Sequence, residues 1–180
     1  MAKSQRKTID KVFILLGVAT TAVFLVIGIM AWWGHNFATT SVHNELSAQK
    51  IYFPAKGSPA LDPKEFPGLQ QYAGQLVDNG PKAKAYANEF IGVHLEKVAG
   101  GKTYSEISSA ALADPTNTKL QTQKAVLFQG ETLRGLLLGD GYAYWTFGML
   151  AKYAAIAAFI GAAMMALLVW AGLMHLARLK

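Results

Sequence analysis

The chain has no cysteine. That excludes disulfides, thiol nucleophiles, iron–sulfur ligation and covalent attachment of a c-type haem. Charge is also scarce: Asp, Glu, Lys and Arg make up 16% of the residues, well below the roughly 25% of an ordinary soluble domain. Strand signals are nearly missing. Ile51-Tyr52-Phe53 is the one β-like stretch, too short to build a sheet. The motifs of a nucleophile elbow, a zincin helix or a calcium loop do not occur. Gly100-Gly101-Lys102-Thr103 resembles the tail of a phosphate loop, but no strand feeds it and the glycine spacing before it is wrong. A helix C-cap accounts for it.

What the chain does have is apolar sequence, 52% of its 180 residues, gathered near both ends. Residues 12–33 and 153–177 contain no Asp, Glu, Lys or Arg. A helix of 22 residues covers about 33 Å, enough for the hydrocarbon core of a bilayer. Backbone polar groups cannot be left bare in lipid, so both blocks are expected to be helices. The first block is longer than the apolar core of a signal peptide and no A-x-A site follows it, so an uncleaved anchor is expected.

The net charge of +6 could suggest nucleic acid, but its placement argues otherwise. Residues 1–11 carry four basic side chains against Asp10, the last three carry Arg178 and Lys180, and between Gly34 and Ala151 ten basic residues balance ten acidic ones. An excess of positive charge outside both apolar blocks places both termini in the cytoplasm. The expected organisation is all-α: a cytoplasmic N-terminus (1–11), a first transmembrane helix (12–33), an extracytoplasmic helical domain (34–145), a second transmembrane helix (146–177) and a cytoplasmic C-terminus (178–180). The expected location is the plasma membrane, with lipids as partners and no nucleic acid.

Within 34–145, residues 54–80 are rich in Pro and Gly and read as a loop, of the length usually associated with partner binding or mobility. Pro81 opens a helix that Gly100-Gly101 closes. Thr103 and Glu106 form a capping-box pattern, and Asp114-Pro115 reads as the cap of a last external helix. Gly139-Asp140-Gly141 is expected to break or kink that helix before the second span.

Two kinds of residue stand out. The first is small side chains on helix faces: Ala154, Ala158, Ala162 and Ala166 at steps of four with Gly161 beside them, and Gly17, Thr21 and Gly28 in the first span. Such stripes allow close helix approach, between the two spans or with another subunit. Lys152 lies inside the outer aromatic cluster and is expected to snorkel, the alternative being an ion pair with a partner subunit. The second kind is a polar set, His94, Glu131 and Arg134. His94 lies beside the apolar face of the helix from Pro81, and its packed reading outweighs a ligand role. Glu131 and Arg134 are spaced for an i, i+3 pair, either at the surface or against a neighbouring helix.

The segments Tyr72-Ala-Gly-Gln-Leu-Val, Phe90-Ile-Gly-Val-His-Leu, Gly100-Gly-Lys-Thr-Tyr-Ser-Glu and Phe128-Gln-Gly-Glu-Thr-Leu-Arg-Gly resemble, in order and spacing, a group of actinobacterial two-span membrane proteins, some of them labelled aromatic ring-opening dioxygenases. The resemblance runs from about Val42 to Leu176 and implies a two-span topology and an actinobacterial origin; it supplies no activity. A non-haem iron site needs two histidines and a carboxylate converging, and His94 has no second histidine on its own helix. No cofactor, metal or catalytic residue is expected.

The expected function is a non-catalytic accessory subunit of a larger membrane complex, with other integral subunits as partners. By analogy with its small added subunits, the first candidate complex is the actinobacterial respiratory supercomplex of cytochrome bc and cytochrome oxidase. The alternative is a free-standing envelope protein that binds a lipid or small ligand through its external helices. Third is an enzyme centred on His94, which would require His94, Glu131 and Arg134 to share one cleft.

Overall fold

A computed structural model describes residues 3–178. Lys180, counted above with the charges flanking the second block, lies outside the described residues, as do Met1 and Ala2. The regular structure of the described chain is helical: α1 (Lys3–Ala48), α2 (Gly80–Ala85), α3 (Gly92–Ala99), α4 (Tyr104–Ala113), α5 (Thr118–Leu136) and α6 (Tyr144–Arg178), with short 3-10 turns at Pro59–Leu61 and Pro67–Tyr72. Two π-helical stretches, Tyr86–Ile91 and Leu137–Ala143, join α2 to α3 and α5 to α6. Among the described residues there is no strand, only an isolated antiparallel bridge between Tyr52 and Leu76. Among the described residues, two helices are long and apolar enough to cross a membrane. The chain divides into two compact units, one of residues 1–37 and 147–180, the other of residues 38–146.

In the two-helix unit, α1 and α6 pack large side chains into glycine. A Cβ on Gly17 would lie 2.6 Å from Val169, and one on Gly28 would lie 2.6 Å from Phe159. The relation is reciprocal, with Phe24 against Gly161 and Ile14 against Gly172. On α6 the covered positions alternate steps of three and four: Gly148, Ala155, Ala158 and Ala162 are buried, whereas Ala154 and Ala166 are exposed. At 3.6 residues per turn a strict step of four drifts off the seam, and alternation of three and four stays on it. Lys152 is half-buried and has no ion pair among the described residues. The outer faces remain apolar: Phe13, Leu15, Met30, Leu150, Leu167 and Trp170 are all exposed.

The second unit is built on a core that includes Leu46, Phe53, Leu69, Val77, Leu95 and Leu127. The Pro/Gly-rich stretch expected to be a loop contributes to this core. Phe53 N–H donates to Gln75 O at 2.9 Å, Val77 N–H to Ile51 O at 2.8 Å and Gly74 N–H to Pro54 O at 3.0 Å, which closes the loop at its neck. Leu61, Phe66 and Leu69 are buried beneath it, and the Gln70 side-chain amide donates to both Leu61 O and Phe66 O. A loop closed at its neck over its own packed side chains is built as an Ω-loop, an enlarged one beside the usual span of about 6–16 residues.

Pro81 stands in the first turn of α2, and Asn79 caps that helix by accepting from Lys82 N–H at 3.0 Å. Gly100 ends α3 in the left-handed conformation, φ 60°. The capping box of Thr103 and Glu106 is present. The start of α5 differs from expectation: Asn117 is its cap, accepting from Leu120 N–H. Asp114 instead ends α4, and its carboxylate accepts from Thr116 Oγ1 and Asn117 Nδ2. A carboxylate engaged by the second and third residues after it holds a turn, which moves the helix start beyond Pro115.

Of the break or kink expected at Gly139-Asp140-Gly141, the structure has no break. The backbone passes through it in π-helical form. Gly141 is buried, and a Cβ on it would lie 3.0 Å from the Ala83 Cβ. It is therefore the point where α2 approaches the π stretch closely, which is a packing reason for glycine rather than a flexible one.

Candidate functional site

The helix formed by α2, the first π stretch and α3 separates two cavities in the second unit. Their chemistry differs because a helix presents different residues on opposite faces.

On one face lies a polar cavity of about 620 Å³ whose lining includes Asn88, Glu96, Lys102, Glu131 and Arg134. Arg134 dominates it. Its Nε donates to Ala87 O at 3.0 Å, Nη1 donates to both Glu131 carboxylate oxygens at 3.0 and 2.9 Å, and Nη2 donates to Asn88 Oδ1 at 3.3 Å. Ala87 O also accepts from Gly92 N–H, five residues on, as π geometry dictates. Gly92 leaves room for this arrangement, since a Cβ there would lie 3.5 Å from the guanidinium carbon. The Glu131–Arg134 pair is thus both readings at once, a pair on one helix and a clamp onto its neighbour.

On the other face lies a more apolar cavity of about 580 Å³, between the Ω-loop, α3 and α5. Phe66, Phe90, Leu95 and Leu133 supply its apolar surface, and His94, Gln129, Lys97 and Glu65 its polar groups. Phe66 and Phe90 face each other at 5.6 Å between ring centroids. Tyr86 and Phe53 continue the aromatic row behind Phe90. Burial pushes the Tyr86 phenol above its ordinary pKa, so it stays protonated. Lys97 and Glu65 are ion-paired and tie α3 to the loop.

His94 therefore lines one cavity and Glu131 with Arg134 line the other. The three do not share a cleft. The remaining histidines lie elsewhere: His35 Nδ1 donates to Gly148 O at 2.9 Å, His43 Nδ1 donates to Asp78 O at 3.1 Å, and His175 Nε2 lies 4.0 Å from Asp10 Oδ2. Among the described residues no three His, Asp or Glu side chains are grouped as a metal site. Sequence spacing placed His94 beside the apolar face of the helix from Pro81, four residues from Phe90. It carried no sign of Glu65, Phe66 or Gln129, which reach the cavity only through the fold of the loop and the packing of α5.

No protein-family model, curated protein sequence or solved structure matches the chain.

Proposed function

We propose that this protein is a two-pass plasma-membrane protein with cytoplasmic termini and an extracytoplasmic helical unit, working as a non-catalytic accessory subunit of a larger membrane complex. The observation that carries this reading is the surface of the two-helix unit. After glycines have seated Phe24, Phe159, Ile14 and Val169 in the seam, large apolar side chains still face outward along both helices. An apolar surface of that extent suits lipid and neighbouring transmembrane helices. The use of Arg134 as an interhelical clamp supports a structural role for the polar groups beside it.

The test is purification through a tag on the C-terminus in mild detergent, with haem absorbance read on the same sample. Recovery of oxidase and cytochrome bc subunits at fixed stoichiometry is the expected outcome. A protein that emerges alone and without haem overturns the respiratory assignment.

A second reading, binding of a lipid or small ligand by the extracytoplasmic unit, is favoured by the apolar cavity beside His94. Its volume lies within the range of about 300–1,000 Å³ typical of small-molecule sites.

A further inference from the structure

We propose that the crevice between α1 and α6, at the end that carries Asp10 and His175, binds one phosphatidylethanolamine molecule, with its ammonium at Asp10 and an acyl chain against Phe13, Met165 and Leu168. This rests on the two-pass membrane reading and gives that reading a lipid of stated headgroup.

Three observations carry the assignment. The first is the order of chemistry along the crevice. A cavity of about 270 Å³ lies in the seam of the two-helix unit, with Phe13, Ile14, Met165, Leu168 and Val169 as its apolar walls and Asp10 and His175 as its titratable groups. Contacts across the seam fix where each one stands. Gly17 lies against Val169, Ile14 against Gly172, and Asp10 faces His175. The two polar groups therefore share one end, and the apolar walls run from them toward the middle of both helices.

The second is an incomplete carboxylate. Asp10 Oδ2 is buried and accepts no hydrogen bond among the described residues. His175 Nε2, at 4.0 Å, is too far away to donate to it. A buried acceptor left unpaired is costly, more so when it is ionised, and a donor completes it. The side chain as a whole keeps 25% of its surface accessible, so an incoming head can reach it. A primary ammonium brings three N–H donors and the opposite charge.

The third observation makes that ammonium part of a lipid. Phe13 and Leu168 are 68% and 64% exposed, so the crevice opens sideways onto the apolar outer surface of the two helices. In the two-pass reading that surface meets acyl chains. Arg6 stands four residues before Asp10 and Arg178 three after His175, which puts each on the same helix face as that polar residue. Both arginines are exposed, and neither is ion-paired among the described residues. They suit a lipid phosphate one turn from the carboxylate. A head with both signs of charge fits this arrangement, whereas a purely anionic head brings nothing for Asp10.

The experiment titrates the full-length chain, purified in mild detergent and stripped of lipid, with phosphatidylethanolamine, phosphatidylcholine and phosphatidylglycerol of identical acyl chains. Native mass spectrometry counts the bound lipid. One phosphatidylethanolamine per chain should bind about tenfold more tightly than phosphatidylcholine, whose trimethylammonium has no N–H; that factor corresponds to one hydrogen bond to a charged group. Asp10→Asn should erase the preference, and His175→Ala should keep it. Unchanged circular dichroism of both variants is the control for folding, and the comparison of lipids on the wild-type chain needs no variant. Equal binding of the three lipids, a preference for phosphatidylglycerol, or a preference that survives Asp10→Asn and is lost in His175→Ala overturns the site. Alkaline extraction of the native membrane separates this from the reading beneath it. A chain that stays in the washed membrane but shows no preference loses the lipid site alone. A chain released by the wash loses the two-pass reading and the site with it.

Discussion

Arg134 on α5 reaches across to Ala87, donating from Nε to its carbonyl oxygen at 3.0 Å, while Nη1 holds Glu131 on its own helix. The acceptor sits within a π turn, so one carbonyl serves both the backbone N–H five residues ahead and a side chain from another helix. This fixes the spacing of the first π stretch and α5 at the wall between the two cavities. Arg134→Met should destabilise the second unit by about 1.5–3 kcal/mol, the usual worth of hydrogen bonds to a charged group. Arg134→Lys should recover only part of this, because an ammonium lacks the planar fork that meets Ala87, Asn88 and Glu131 together. Thermal unfolding in detergent would check both. Full stability in the lysine variant would mean that charge alone matters.

The seam of the two-helix unit makes a contrasting prediction. Gly28→Val places methyl groups where the Phe159 ring lies and should cost about 1–3 kcal/mol by overpacking. Ala154→Val, at an exposed position, should change little. Stability in detergent of the two variants, compared side by side, measures this. Equal losses would place Ala154 in a contact and shift the seam toward the strict four-residue stripe.

What the sequence made legible follows from the range of the forces involved. The apolar blocks, the Pro81 start, the Gly100 end and the capping box at Thr103 are local, set by residues within a turn of one another, and the structure has each of them. The features that escaped depend on long-range contact. Nothing near Leu61, Phe66 and Leu69 announces that a Pro/Gly-rich stretch folds back to bury them. Gly139-Asp140-Gly141 reads as a breaker locally, and becomes a close-packed π turn only because Ala83 lies against it. For the candidate site, His94 was visible as a residue beside an apolar face; the loop and α5 complete its cavity, and neither is near it in sequence.

The capping box carries a pH dependence. Hydrogen bonds from the Thr103 backbone N–H and hydroxyl, at 2.7 and 2.8 Å, hold the Glu106 carboxyl below its ordinary pKa. A depressed folded-state pKa adds stability that is present above the unfolded value, about 4.3 for glutamate, and fades as pH falls through the folded value. Glu106→Ala should therefore flatten the acid limb of the stability profile in that window while leaving its shape near neutrality unchanged. A titration of unfolding midpoint against pH for both proteins would show it. Identical acid limbs would mean that the box does not persist in solution.

The two glycines around Asp140 separate the packing account of the second π stretch from a hinge account. Nothing lies within 4 Å of a Cβ built on Gly139, whereas a Cβ on Gly141 would meet Ala83 at 3.0 Å and Leu46 at 3.6 Å. Neither residue has a positive φ, so neither requires glycine for its backbone. If the stretch is a packed turn, Gly139→Ala should stabilise by about 0.5–1 kcal/mol, since alanine loses less backbone entropy in a helix. Gly141→Val should then destabilise, because α2 must retreat from a side chain pressed against Ala83 and Leu46. If the stretch were instead a flexible joint, both substitutions would stiffen it similarly. Melting temperatures of the two variants, with limited proteolysis at 137–143, decide between the two, and opposite signs are the expected result.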